Sequence, residues 1–359
     1  MRNKLFILTI LGIVIGTTSC GDSDDPTPQL SIPSEYVSAN YDANVTAENT
    51  VIIELAELTD AVNDAETNAQ SRAVSAINYP TSLSSVTISS YQSKVSSWLP
   101  ELVSAANDDD TFQNPGTGAP AEEEEGGLLG TRLLDEYGLE LEQMVVKGSY
   151  GAALYNHALT VIDGELSSAS IDQLVEIFGT DPTFNVDETS FASKYAKRRS
   201  NHTTGEGFFY EIKKNLITAK AAIEAGDTFN SERDQALADF KLNWEKSNFA
   251  TVIFYCNASK TLLQTASTDE EKGNAMHAYA EGVAFAHGFR GVADKQITDA
   301  QIDAILKLLL APAGETPESY KFLNDATLLA NFDQVIEDIQ NIYGFTDEEV
   351  TSFFVNDPS

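Results

Sequence analysis

From Thr46 to Ile342 the chain carries apolar residues at the three-to-four spacing of amphipathic helices, with sparse glycine and proline between them. That pattern sets the expectation of an all-α fold. The clearest run is Thr46 to Ala65, where Val51, Ile52, Leu55, Leu58 and Val62 share a face and Thr46 or Asn49 can cap the start. Further helices are predicted over 87–99 (with Pro100 as a break or the start of a short continuation to Ala106), 128–161, 170–178, 202–225, 231–265, 270–290, 299–310 and 326–342. Gly138, Gly148 and Gly151 fall inside the 128–161 segment. A glycine costs about 1 kcal/mol in a helix interior, so three of them imply close helix contacts or a break. Only Tyr36–Val45 reads as extended. Residues 36–359 are expected to form a single helical-bundle domain behind that short lead.

The N-terminus constrains where the bundle resides. Arg2 and Lys4 precede an apolar run from Leu5 to Ile15, followed by small and polar residues up to Ser19, then Cys20. The run is too short to span a bilayer as a helix, which takes about 20 residues. It reads as a secretory signal over 1–19, with Cys20 as the lipid acceptor of a bacterial lipoprotein. Thr17 stands where such sites usually carry Leu. Residues 20–35, beginning Gly21-Asp22-Ser23-Asp24-Asp25 and followed by Pro26 and Pro28, form an acidic tether too polar to fold alone. An acidic stretch in that position resembles the signal that sends Bacteroidota lipoproteins to the outer face of the outer membrane. A lipid-anchored, surface-exposed outer-membrane protein is therefore expected.

The formal charge is −33, and removing 1–19 takes Arg2 and Lys4 but no acid, leaving −35. Such a body is repelled by nucleic-acid phosphate and anionic headgroups, so nucleic acid is not an expected partner. There are two cysteines, Cys20 and Cys256, and with Cys20 lipidated no intrachain disulfide is available. Cys256 sits in an apolar run and reads as core. The stretch Asn107–Gly127, with its Asp and Glu runs, reads as a solvated loop, because its acids lack the spacing of a calcium loop.

Two segments share the pattern His-x-x-x-Glu-Gly with an aromatic close behind: His202 to Glu206 before Gly207 and Phe208, and His277 to Glu281 before Gly282 and Phe285. Residues four apart on a helix lie about 40° apart around its axis, so each His and Glu would face the same way. Each segment also follows a long apolar stretch. This implies an internal duplication of helix pairs about a pseudo-twofold axis, bringing His202, Glu206, His277 and Glu281 to one locus. Two imidazoles and two carboxylates suit a divalent ion such as zinc, iron, manganese or copper, with iron or zinc expected first. Glu140 is a further candidate ligand. The alternative is that the His–Glu couples are hydrogen-bonded pairs fixing the bundle's register. His157 and His287 read as satisfied surface or core histidines.

The runs Leu139 to Ala152 and Met276 to Phe289 resemble hallmark stretches of a Bacteroidota lipoprotein family known as a domain of unknown function. The likeness extends from about Tyr36 to Phe345. The first His segment departs from that pattern, with Thr203, Thr204 and Gly205 between His and Glu. That family is similar in outline to imelysin-like proteins, helical lipoproteins and periplasmic proteins linked to iron uptake. The resemblance implies metal handling near an outer-membrane transporter. The Gly-x-His-x-x-Glu motif typical of imelysins is absent, so their ligands do not carry over. The leading expectation is a non-catalytic surface lipoprotein for metal binding or uptake. A structural or adhesion scaffold without metal is one alternative. An imelysin-like metallopeptidase is another, although no His-Glu-x-x-His zinc motif occurs.

Overall fold

A computed structural model describes residues 28–108, 111–122 and 124–358; the signal segment 1–19, Cys20 and the first part of the tether lie outside the described residues. The elements run α1 (Tyr41–Asn44), α2 (Thr46–Asn68), α3 (Thr81–Val86), α4 (Ser89–Asn107), a hairpin of β1 (Gly127–Leu129) and β2 (Arg132–Leu134), then α5 (Leu141–Ser149). A π-helical turn over Tyr150–Tyr155 joins α5 to α6 (Asn156–Ile162), followed by α7 (Ser168–Phe178) and α8 (Phe191–Arg198). A second hairpin of β3 (Ser200–Asn201) and β4 (Glu206–Gly207) leads into α9 (Phe208–Ala225), α10 (Asn230–Thr265), α11 (Asp269–Gly288), α12 (Asp299–Leu308), α13 (Ala330–Tyr343) and α14 (Asp347–Phe353). The fold is an all-α helical bundle, as the spacing predicts.

Helix α10 is the axis, packing along α9, α11 and α13, while α11 packs in turn on α5. One continuous apolar core runs from Tyr36 to Phe353. In α2 the predicted face is the buried one, with Leu55 and Val62 sealed from solvent. Each such side chain contributes roughly 1.5–3 kcal/mol. Helix α4 continues through Pro100, because Val95, Trp98 and Leu99 before it and Leu102 and Ala105 after it bury the same stripe. Among the described residues no helix is long and apolar enough to cross a membrane.

The predicted helix over 128–161 divides. Its first residues form the β1–β2 hairpin, and Gly138, at φ +80°, turns the chain into α5. Gly148 and Gly151 do mediate close contact. A Cβ on Gly288 would run into the backbone of Gly148, and one on Gly151 into Phe289 and Gly288. So α5 and α11 touch backbone to backbone.

Three other expectations are corrected. The Tyr36–Val45 lead is not extended; it bends and forms α1, gathered by the buried Asp172 carboxylate. Asp172 accepts hydrogen bonds from Tyr36 Oη (2.5 Å), Ser38 Oγ (2.7 Å), Asn44 Nδ2 (2.7 Å) and Lys220 Nζ (2.7 Å). The helix predicted from His202 begins at Phe208, because Asn201 Oδ1 accepts from the amides of Thr203 and Thr204 and folds His202–Gly205 as a hairpin turn. The repeated His-x-x-x-Glu spacing is therefore a turn in one copy and mid-helix in the other, and these segments are not a structural duplication.

Candidate metal centre

Helix α11 opens with a capping box, in which Thr268 accepts from the Glu271 amide and Glu271 reaches back to the Thr268 amide. That start places His277 and Glu281 on the face that meets α5. Opposite them, Glu140 occupies the N-cap of α5 but its side chain does not cap the helix. It turns across the interface instead. Its Oε2 lies 2.8 Å and its Oε1 3.1 Å from His277 Nδ1. Gln143 Nε2 stands 3.4 Å from the same ring nitrogen and also donates to Glu142.

Glu140, Glu142 and His277 can each present one ligand atom, and the three atoms lie within 4.8 Å of one another. No other group of three or more His, Cys, Asp or Glu side chains among the described residues meets that spacing. The carboxylates are buried, while the His277 side chain keeps 25% of its exposure and opens the cluster to solvent. The N-terminal end of α5 favours the negative charge of Glu140 and Glu142.

Glu281 borders the cluster. Its Oε2 is 3.9 Å from His277 Nε2, while its Oε1 faces Lys147 Nζ at 3.6 Å and accepts from Tyr195 Oη at 3.2 Å. On the opposite side Arg132 pairs with Glu66 at 3.2 Å and lies 3.8 Å from Glu140. Glu140 and Glu281 thus each have a basic neighbour.

Burial drives the electrostatics. It pushes the Glu140 carboxyl well above the ordinary range, with Glu66 and Glu142 adding to the effect and Arg132 opposing it. Burial also lifts Glu142 up to about 7 against the pull of Lys147. The His277 imidazole is lowered, chiefly by burial, so the ring is neutral at neutral pH with a lone pair to give. At Lys147 burial works downward, yet Tyr150, Tyr195, Glu281 and Glu142 outweigh it and hold the ammonium charged. Two carboxyls that resist ionising and a neutral imidazole form a site that a divalent cation would relax. Such a cation would favour the ionised form of the buried acids.

The sequence-predicted residues are only partly brought together. His277, Glu281 and Glu140 meet. His202 and Glu206 do not join them: His202 stands in the β3–β4 turn, with Nδ1 3.0 Å from Tyr210 Oη and Nε2 3.2 Å from Asp357, and Glu206 is exposed. The two couples have separate surroundings because one rides on a hairpin and the other on a core helix. Glu142 was missed by sequence reasoning, as were Gln143, Glu66, Arg132 and Lys147. The only signal for Glu142 and Gln143 is their place at the start of α5 in the glycine-bearing segment; Glu66 comes from α2. His157 is 3.7 Å from Glu48. His287 is a buried core histidine whose Nδ1 has no partner, which departs from the satisfied surface or core histidine expected. Cys256 is a buried free thiol in the core.

No protein-family model, curated protein or solved structure matches this chain.

Proposed function

We propose that the protein is a non-catalytic, lipid-anchored metal-binding protein that holds a divalent ion, iron or zinc, through Glu140, Glu142 and His277. The observation that carries this reading is the convergence of those three ligand atoms across the α5–α11 contact. One imidazole and two carboxylates fit a borderline first-row cation. Glu281 acts as the positioning residue: it faces the other ring nitrogen of His277, the arrangement in which an outer carboxylate orients a metal-ligating histidine. Lys147 and Tyr195 in turn fix Glu281.

The signal segment and Cys20 support anchoring in the outer membrane, and the acidic tether supports exposure at the cell surface. The family resemblance supports a role beside an outer-membrane transporter in metal acquisition. The test is metal analysis of protein purified with and without added Fe²⁺ or Zn²⁺. The wild type is expected to retain about one ion per chain, and His277→Ala with Glu142→Gln to retain none. Equal content in both proteins would end the metal reading. It would leave the second one, a surface scaffold, which the ion-pair chain from Glu66 through Arg132 and Glu140 to His277 favours as a purely structural network.

A further inference from the structure

A second polar locus is lined by residues other than the proposed metal ligands. A cavity of about 150 Å³ opens between α4, the turn from β2 into α5, the end of α11 and the loop 311–317. Its floor includes Asp135 and His287, both buried. Trp98 and Tyr137 line its sides, and Glu101 and Glu315 stand exposed at its mouth.

Glu101, Glu315, Asp135 and His287 give this space acceptors, beside the donors of Lys94, Trp98 and Tyr137. Asp135 uses Oδ1 to accept from the amides of Tyr137 (3.0 Å) and Leu139 (2.7 Å). His287 packs edge-on against Tyr91 and Trp98, with ring centroids 5.5 and 5.7 Å away, and its buried Nδ1 has no hydrogen-bond partner. Burial first, then Lys94 and Arg290, push its pKa down to about 4, so the ring stays neutral and carries an acceptor lone pair. Trp98 offers a π face, already approached by Lys94 Nζ at 6.0 Å from the ring centroid. Leaving a buried polar atom unpaired costs about 1–3 kcal/mol, which a core histidine of no other use would not carry.

We propose that this cavity binds a small organic ammonium ion. The ligand's N–H groups are directed at the His287–Asp135 floor, its charge is balanced by Glu101 and Glu315, and its alkyl part lies against Trp98. The volume admits a ligand of only a few heavy atoms. Lys94 is the resident competitor: its ammonium sits where a ligand cation would approach the indole. The site is separate from the metal reading and does not depend on it.

The experiment titrates the purified protein with n-propylammonium, followed by calorimetry and by indole fluorescence. Trp98 and Trp244 are the two tryptophans, and Trp244 is deep in the core. Saturable binding is expected for n-propylammonium and none for the neutral isostere 1-propanol. Glu101→Gln/Glu315→Gln is expected to raise Kd at least tenfold, Lys94→Gln to lower it, and His277→Ala to leave it unchanged. Both acids of the double variant are on the surface, so it retains the fold, which a thermal melt checks. Absence of saturable binding, an equal response to 1-propanol, or an unchanged Kd in the double variant overturns the proposal. Loss of amine binding in His277→Ala would assign the amine to the metal cluster instead and overturns it too.

Discussion

His277 Nδ1 lies 2.8 Å from Glu140 Oε2 across a contact where α5 and α11 touch at glycine backbones. The closeness of the helices and the closeness of the ligands have one origin. Gly288 and Gly151 lack the side chains that would hold the segments apart, and the acids at the start of α5 then reach the middle of α11. If the cluster holds an ion as proposed, its affinity is coupled to helix packing.

Metal binding should release protons and strengthen with pH. Glu140 and Glu142 are held up by burial, Glu142 to about 7, and each must lose its proton to ligate. Affinity for Zn²⁺ or Fe²⁺ should rise as pH increases through 7. At a hundredfold excess over Kd, the ion should stabilise the fold by about 2.7 kcal/mol. Calorimetry in buffers of different ionisation enthalpy, with thermal melts before and after chelation, measures both. Uptake without proton release would contradict the buried-acid assignment.

Much of the bundle was legible because a buried stripe on a single helix is a local property. Val51, Leu55, Leu58 and Val62 mark α2 without knowledge of its partners, and α10 starts within a residue of its expected position. Turn chemistry was less legible. Thr203-Thr204-Gly205 folds back because Asn201 bonds their amides, a preference that outweighs the aromatic pattern behind it. The site was half legible. His277 and Glu281 are four apart on one helix, so spacing finds them, but their partners come from α5. No periodicity says which acid will face another helix. Glu142 lies two residues beyond Glu140 and was invisible to a rule of four.

Within the His–Glu set the effects of substitution should be graded. His277→Ala removes a ligand and should abolish retained metal. Glu281→Ala removes only the carboxylate that orients the ring, and should weaken affinity by about 10–100-fold. His202→Ala should change nothing, because His202 bonds Tyr210 and Asp357 in a hairpin turn. Competition against a fluorescent chelator ranks the three. A loss in His202→Ala equal to that in His277→Ala would restore the idea of a shared locus.

Acid should destabilise the protein through His287. Its folded pKa of about 4 lies below the ordinary 6.5, so between those values the unfolded chain binds the extra proton. Its contribution is fully present above pH 6.5 and is lost as pH falls towards 4. Urea unfolding at pH 7 and pH 4.5 should show the wild type losing about 2–3 kcal/mol more than His287→Phe. Equal losses would mean that the ring is not buried neutral.

Gly288→Ala should separate α5 from α11. The added Cβ meets the backbone of Gly148, which has no flexible end to move aside. Overpacking of this kind costs about 1–3 kcal/mol. Because Glu140 and His277 sit on the two helices being parted, the variant should also lose metal affinity, whereas Gly314→Ala, in open space, should lose neither. Denaturant melts paired with metal titration test this. Full affinity in a destabilised Gly288→Ala protein would show that packing and ligation are independent.

The sharpest test separates stability from binding. In the metal-free fold Glu142 is buried with a pKa raised from 4.5 to about 7, so the folded state holds a proton that the unfolded state has released between those values. Stability attributable to this group is therefore present below pH 4.5, falls as pH rises and is absent above 7. Replacing the carboxylate by the neutral amide removes that penalty, although it also removes the charge facing Lys147. The net gain at pH 8 should be about 1–2 kcal/mol, and it should vanish at pH 4. The same Glu142→Gln protein should bind Zn²⁺ at least tenfold more weakly. A residue that destabilises the empty fold and is needed to fill it is explained by its ligand. If Glu142→Gln instead destabilises at pH 8, Glu142 belongs to a structural ion-pair network with Lys147, and the scaffold reading gains what the metal reading loses.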